Sequence, residues 1–118
     1  MNILFLDDER TIKDVFWIFY PKYTSVTVVR NLQEFKAAVR MIGSFKDYLF
    51  SFDHDLQDFT DDHQENTGYT CVHWLIDYMV EHEIEPESNL DYVVHSQNVI
   101  GKTNIESYIE NAKRHLKF

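Results

Sequence analysis

Three short polar clusters carry the residue types that chemistry needs. Asp7, Asp8, Glu9 and Arg10 follow an apolar run, Asp53, His54 and Asp55 follow LFSF, and His95, Ser96 and Asn98 follow DYVV. Carboxylates drawn together raise one another's proton affinity unless a cation sits among them, and oxygen-only ligands suit a hard divalent ion. Asp7, Asp8 and Asp53 are therefore the candidate ligands of Mg²⁺, although one of these acids could equally cap a helix while the others stay solvated. An imidazole pair can take a proton from a nucleophile and give one to a leaving oxygen near neutral pH. His54 and His95 form the candidate catalytic pair, expected to face each other across a phosphate-sized gap. Ser96 and Asn98 can donate to a phosphate oxygen, with Asn104 joining them if the turn folds back. Gly101 permits a tight turn there, and the first amides of the following helix point toward an anion. Arg10 and Lys102 are candidate phosphate partners, and Asp55 falls on the substrate side of the same edge.

Other motifs carry less. GKT at Gly101 to Thr103 has the tail of a phosphate-binding loop, but Ser96 stands where that motif needs its first glycine. Asp58, Asp61, Asp62 and Glu65 lack the alternate spacing and central glycine of a calcium loop, so they are expected to form an acidic loop over the site. Cys71 has no His or Asn at an informative spacing and reads as core.

Positioning these clusters falls to alternating elements. Asn2 to Leu6 is a short apolar strand. TIKDVFWIFY places Ile12, Val15, Phe16 and Phe19 at helical spacing, with Thr11 as N-cap. TSVTVVR, DYLFSFD and LDYVVHS read as further strands. Helices are predicted after Asn31 with a stripe of Leu32, Phe35, Val39 and Ile42, after Gly68 with Val72, Leu75, Ile76, Met79 and Val80, and after Thr103, whose capping-box partner is Glu106. Such alternation predicts a single α/β domain over residues 1–118, a parallel sheet with helices on both faces. Right-handed crossovers and flavodoxin-like winding give the strand order 2-1-3-4. In that order the three clusters share the carboxyl edge of the sheet, where open α/β folds bind ligands.

Composition sets the outer bounds. The 118 residues are 44% hydrophobic, enough for one core, and the net charge of -9 disfavours coating duplex DNA or a membrane surface. No run approaches membrane-spanning length. The lone Cys71 excludes an internal disulfide framework, and the N-terminus lacks the cationic start of a signal peptide, which points to the cytoplasm, or a host's cytoplasm if a virus encodes the chain.

The arrangement of Asp7, Asp8, Asp53 and Ser96 after successive strands resembles the receiver domain of two-component signalling. The fifth strand of receivers and the lysine after it have no counterpart here, so a truncated sheet is expected. The fuller set of DDER, DHDL, Thr67-Gly68, HSQN and the later G-x-x-NI is similar to the cyclic-phosphate-processing receiver domain family. That resemblance implies phosphoesterase-like hydrolysis or ring opening of a cyclic phosphate, on an RNA end or a cyclic nucleotide, with Asp53 also open to a covalent role. A receiver-like module that binds or sequesters a phosphate ligand or a partner protein without turnover is the alternative.

Overall fold

The computed structural model describes residues 1–118. Four strands, β1 (Asn2–Leu6), β2 (Ser25–Val29), β3 (Tyr48–Phe52) and β6 (Asp91–Val94), make one sheet in the order β2-β1-β3-β6, and every pairing is parallel. This is the receiver-like α/β sheet that the alternation predicts, in the predicted order. Alternation along each strand then sorts the side chains. Leu4 and Leu6 of β1 lie level with Phe50 and Phe52 of β3, and Val94 continues the row on β6.

That row is the floor of the main core. Over it pack α1 (Leu32–Arg40) through Phe35 and Val39, α2 (Gly68–Glu81) through Cys71, Val72, Leu75, Ile76 and Met79, and α4 (Val99–His115) through Ile105 and Ile109. Each of these contributes an apolar stripe at three- and four-residue spacing, and burial of that stripe is what holds a short helix together. Local signals set their starts. The Asn31 side chain accepts from the Glu34 amide at 2.9 Å, and Thr67 and Thr70 satisfy each other's amides at the head of α2. A one-turn helix, α3 (Pro86–Asn89), leads into β6.

The second face is covered differently from expectation. Ile3, Phe5 and Leu49 point to that side, and the layer over them is the segment 11–23, which makes only a 3-10 turn at Ile12–Asp14. The helix predicted from Ile12, Val15, Phe16 and Phe19 does not form. Val15 is buried, but Phe16 and Phe19 are 88% and 98% exposed, so their spacing does not mark a core stripe. Trp17 and Tyr20 turn inward instead, because each has a polar tip that finds a partner: Trp17 Nε1 donates to the His95 carbonyl at 2.8 Å, and the Tyr20 hydroxyl meets Ser51 Oγ at 2.7 Å. The long helices therefore lie on one face, and an irregular strap closes the other.

Two further boundaries differ. The polar loop after β3 contains a small antiparallel hairpin, β4 (Asp58–Phe59) with β5 (Glu65–Asn66). And α4 begins at Val99 rather than after Thr103, because the Asn98 side chain caps it by accepting from the Gly101 amide at 3.0 Å. No helix is long and apolar enough to cross a membrane.

Candidate functional site

The parallel ladder runs one residue beyond the strands. Asp7 N donates to Val29 O, Asp53 N to Leu6 O at 2.9 Å and His95 N to Phe52 O at 2.9 Å, so Asp7, Asp53 and His95 emerge in register on three adjacent strands. All three are buried, with 1%, 5% and 0% of their surface exposed, and one ligand-type atom from each lies within 4.8 Å of the others. The sheet itself forces a carboxylate pair and an imidazole together.

Asp7 is held on every side. Its Oδ1 accepts from the amides of Glu9 (2.9 Å) and Arg10 (2.8 Å), while Oδ2 faces His95 Nε2 at 3.0 Å and Arg10 Nη1 at 3.5 Å. Burial works to raise its proton affinity, but the His95 hydrogen bond and the two amides outweigh it and hold the carboxyl down at about 2. Asp53 goes the other way. It is buried beside the Asp7 charge with one amide, that of His54, on its Oδ1, and its carboxyl is raised above the ordinary range by desolvation first and by Asp7 second. Asp8 is raised as well, by partial burial and then by its acidic neighbours Glu9 and Asp7.

In front of these residues is a cleft of about 170 Å³ lined entirely by polar side chains. Asp7, Asp8, Glu9, Asp53 and Asp55 give it five carboxylates, Arg10 gives it a cation, and Ser96 and Asn98 give it neutral donors. Arg10 spans the opening, with Nη2 3.4 Å from Gln97 Oε1 and its guanidinium 5.3 Å above the Trp17 ring. Its contacts to Asp7 and Gln97 are both long, at 3.5 and 3.4 Å. Asp55 sits at the rim, bonded to His54 Nδ1 at 2.9 Å and to the Asn98 amide at 3.2 Å; those bonds, His54 first, keep its carboxyl below the usual range.

Several expected placements are corrected by this geometry. His54 and His95 do not face each other across a gap. His95 is sealed in the second face, stacked on Phe5 with ring centroids 4.5 Å apart, and His54 packs toward α4 without lining the cleft. Gly101 is buried beneath the His54 ring, which an added Cβ would overlap, so its smallness serves packing and not a phosphate. Lys102 and Asn104 lie along α4, where Lys102 borders a groove with Ile18 and Val93 and Asn104 borders a separate hollow with Tyr69. The cause is the early start of α4, which carries both residues around the helix and away from the edge. Nor does the acidic loop cover the site. Asp58 accepts from the Leu32 amide at 3.1 Å and from the Asn66 side chain, tying the hairpin to α1.

Other residues enter that the motifs did not reveal. Gln57 and Gln97 line the cleft. Arg30 donates from Nη1 to the carbonyls of Asp7 (3.2 Å) and Arg10 (2.9 Å), bracing the turn that carries them. Ser51 and Tyr20 lie behind His95. A basic residue directly after β2 was a usable signal for Arg30, whereas a serine within an apolar strand is not distinctive.

A larger hollow of about 620 Å³ lies between α2 and α4 around Tyr69, Tyr108 and Arg114, but no buried carboxylates converge there. The buried acids converge at the smaller cleft. A family model described as the Cyclic-phosphate processing Receiver domain matches residues 2–111. The chain belongs to this family. No curated protein and no solved structure matches it significantly. In this cyclic-phosphate processing receiver domain, all three clusters that lie after β1, β3 and β6 border one pocket, and the two carboxylates at its base offer oxygen ligands suited to a hard divalent cation.

Proposed function

We propose that the domain opens the ring of a cyclic phosphate, at an RNA end or in a cyclic nucleotide, in the cleft at the carboxyl edge of its sheet. The observation that carries the reading is the buried convergence of Asp7 and Asp53 within a polar cleft that also holds Arg10 and Ser96. Family membership supplies the substrate class. Burial and mutual repulsion leave Asp53 with an excess proton affinity that a cation would relieve, so Asp7 and Asp53 would hold Mg²⁺, with Asp8 on the same cleft as a further oxygen ligand. Mg²⁺ held by them would neutralise charge on the phosphoryl oxygens.

The protein's own groups do the rest. Arg10 turns from Gln97 to a non-bridging oxygen, and the Ser96 hydroxyl and Asn98 amide donate to another. Asp55, kept ionised by His54 and Asn98, takes a proton from the attacking water as its oxygen bonds to phosphorus. The ring P–O bond breaks, giving a monoester and a free hydroxyl that regains its proton from solvent. His54 acts by holding Asp55, and His95 by holding Asp7.

The test follows ³¹P signals of a nucleoside 2′,3′-cyclic phosphate with wild type and Asp53→Asn, each with Mg²⁺ and with a chelator. Wild type with Mg²⁺ is expected to yield monoester, and the other three conditions to lose at least about 100-fold in rate. Equal rates for wild type and Asp53→Asn would refute the assignment. A second reading, a module that binds the phosphate without turnover, is favoured by one fact: neither imidazole lines the cleft. Saturable binding with the cyclic phosphate recovered intact would select it.

A further inference from the structure

A line of hydrogen bonds runs through the sheet from the strap on the second face to the cleft. The Tyr20 hydroxyl meets Ser51 Oγ at 2.7 Å, Ser51 Oγ meets His95 Nδ1 at 2.7 Å, and His95 Nε2 meets Asp7 Oδ2 at 3.0 Å. Ser51 and His95 are wholly buried. Ser51 is the one polar side chain among the buried positions of β3, which otherwise hold Leu49, Phe50 and Phe52, so packing alone does not call for it.

The partners at the cleft end give the line a direction. Asp7 accepts two backbone amides on Oδ1 and faces a guanidinium with Oδ2, which makes it an acceptor and requires the hydrogen of the contact to sit on His95 Nε2. In the neutral ring Nδ1 is then a lone pair, so Ser51 spends its single hydrogen on it, and the serine oxygen takes the hydrogen of Tyr20. Every contact holds one hydrogen in that order; with the hydrogen on Nδ1 and the ring neutral, the bonds to Ser51 and Tyr20 could reverse, but Nε2 and the Asp7 carboxylate would face each other as two acceptors. Trp17, from the same strap, fixes the His95 backbone by donating to its carbonyl.

We infer that Tyr20, Ser51 and His95 are positioning residues that hold the Asp7 carboxylate in its working orientation through the Nε2–H tautomer of His95. The role rests on the cyclic-phosphate reading for its effect on rate, but the tautomer does not. Removing a group that orients a functional ligand through a histidine costs about 10- to 100-fold in activity. Tyr20 acts one bond further out and from a partly exposed position, so its removal costs less.

The decisive measurement is a long-range ¹H–¹⁵N spectrum of histidine-labelled full chain. His95 is expected as a single Nε2–H tautomer whose Nδ1 resonance moves toward that of an unbonded nitrogen in Ser51→Ala. Kinetics on the cyclic phosphate are expected to show kcat about tenfold lower in Ser51→Ala and a few-fold lower in Tyr20→Phe, with KM within twofold of wild type in both. Tyr20→Phe keeps the ring in place, so it reports even if Ser51→Ala folds poorly. Hydrogen on Nδ1 in wild type, or an unchanged kcat in both folded variants, overturns the inference. Should wild type not turn the substrate over, the spectrum still decides the relay, and the failure belongs to the proposed reaction.

Discussion

At the scale of single residues the account turns on two neighbouring carboxyls with opposite perturbations. Asp7 is depressed to about 2 by His95 and two amides despite its burial, so its bonds stabilise the fold fully above the unfolded value near 3.8 and are lost as pH falls through about 2. The shift is worth about 2 kcal/mol at neutral pH. Asp53 is raised, so its ionisation costs stability in full above its folded value, and the cost fades as pH falls from there to the unfolded value near 3.8. Asp53→Asn is therefore expected to raise Tm by a few degrees at pH 7 while removing activity, and the gain is expected to vanish in acid, where the wild-type carboxyl is neutral. Thermal unfolding of both proteins at several pH values checks this. A variant less stable than wild type at pH 7 would show that Asp53 is held by favourable contacts.

At the scale of elements, the cleft depends on how closely α2 starts against the end of β3. Gly68 N donates to His54 O at 2.7 Å, and a Cβ on Gly68 would overlap the Asp53 carbonyl, which is backbone and cannot step aside. Gly68→Ala should destabilise by more than about 2 kcal/mol and displace Asp53; chemical denaturation with an activity assay would measure both effects, and a folded, active Gly68→Ala would count against the packing described. The same scale shows where sequence reading works. Strands β2 and β3 were legible because β-branched and aromatic runs have few alternatives, and α1 was legible because Asn31 and the Phe35–Val39 stripe agree. The strap was misread because Ile12, Val15, Phe16 and Phe19 imitate a helical stripe. What overrides them are hydrogen bonds from Trp17 and Tyr20 to groups more than 30 residues away, which no local period records. At α4 the sequence points to Thr103 as the cap, but Asn98 caps the helix five residues earlier, carrying Lys102 and Asn104 off the edge.

At the scale of the whole molecule, winding order decided which residues meet. Asp7, Asp53 and His95 are separated by dozens of residues, and only the order β2-β1-β3-β6 with parallel registers sets them side by side. That much followed from alternation and right-handed crossover. One residue more or less at a strand end moves a side chain to the other side of the sheet: His95, in register with Asp7 and Asp53, lies on the second face against Phe5, while His54, one residue past Asp53, turns to α4 on the helix face, so the two imidazoles do not meet. The chain carries a net charge of -9, and five carboxylates line the cleft, so on the proposed reading binding of an anion should depend on a divalent cation and on Arg10. Arg10→Ala is expected to raise KM for a cyclic phosphate about tenfold with a smaller change in kcat. An unchanged KM in steady-state kinetics would remove Arg10 from substrate binding.

The most direct test of the central claim is where a ligand binds. Titration of a nucleoside 2′,3′-cyclic phosphate with Mg²⁺ into the ¹⁵N-labelled chain should shift the amides of residues 7–10, 53–57 and 95–98, together and saturably. Shifts confined to the hollow around Tyr69 and Arg114, with those three loops unmoved, would contradict it.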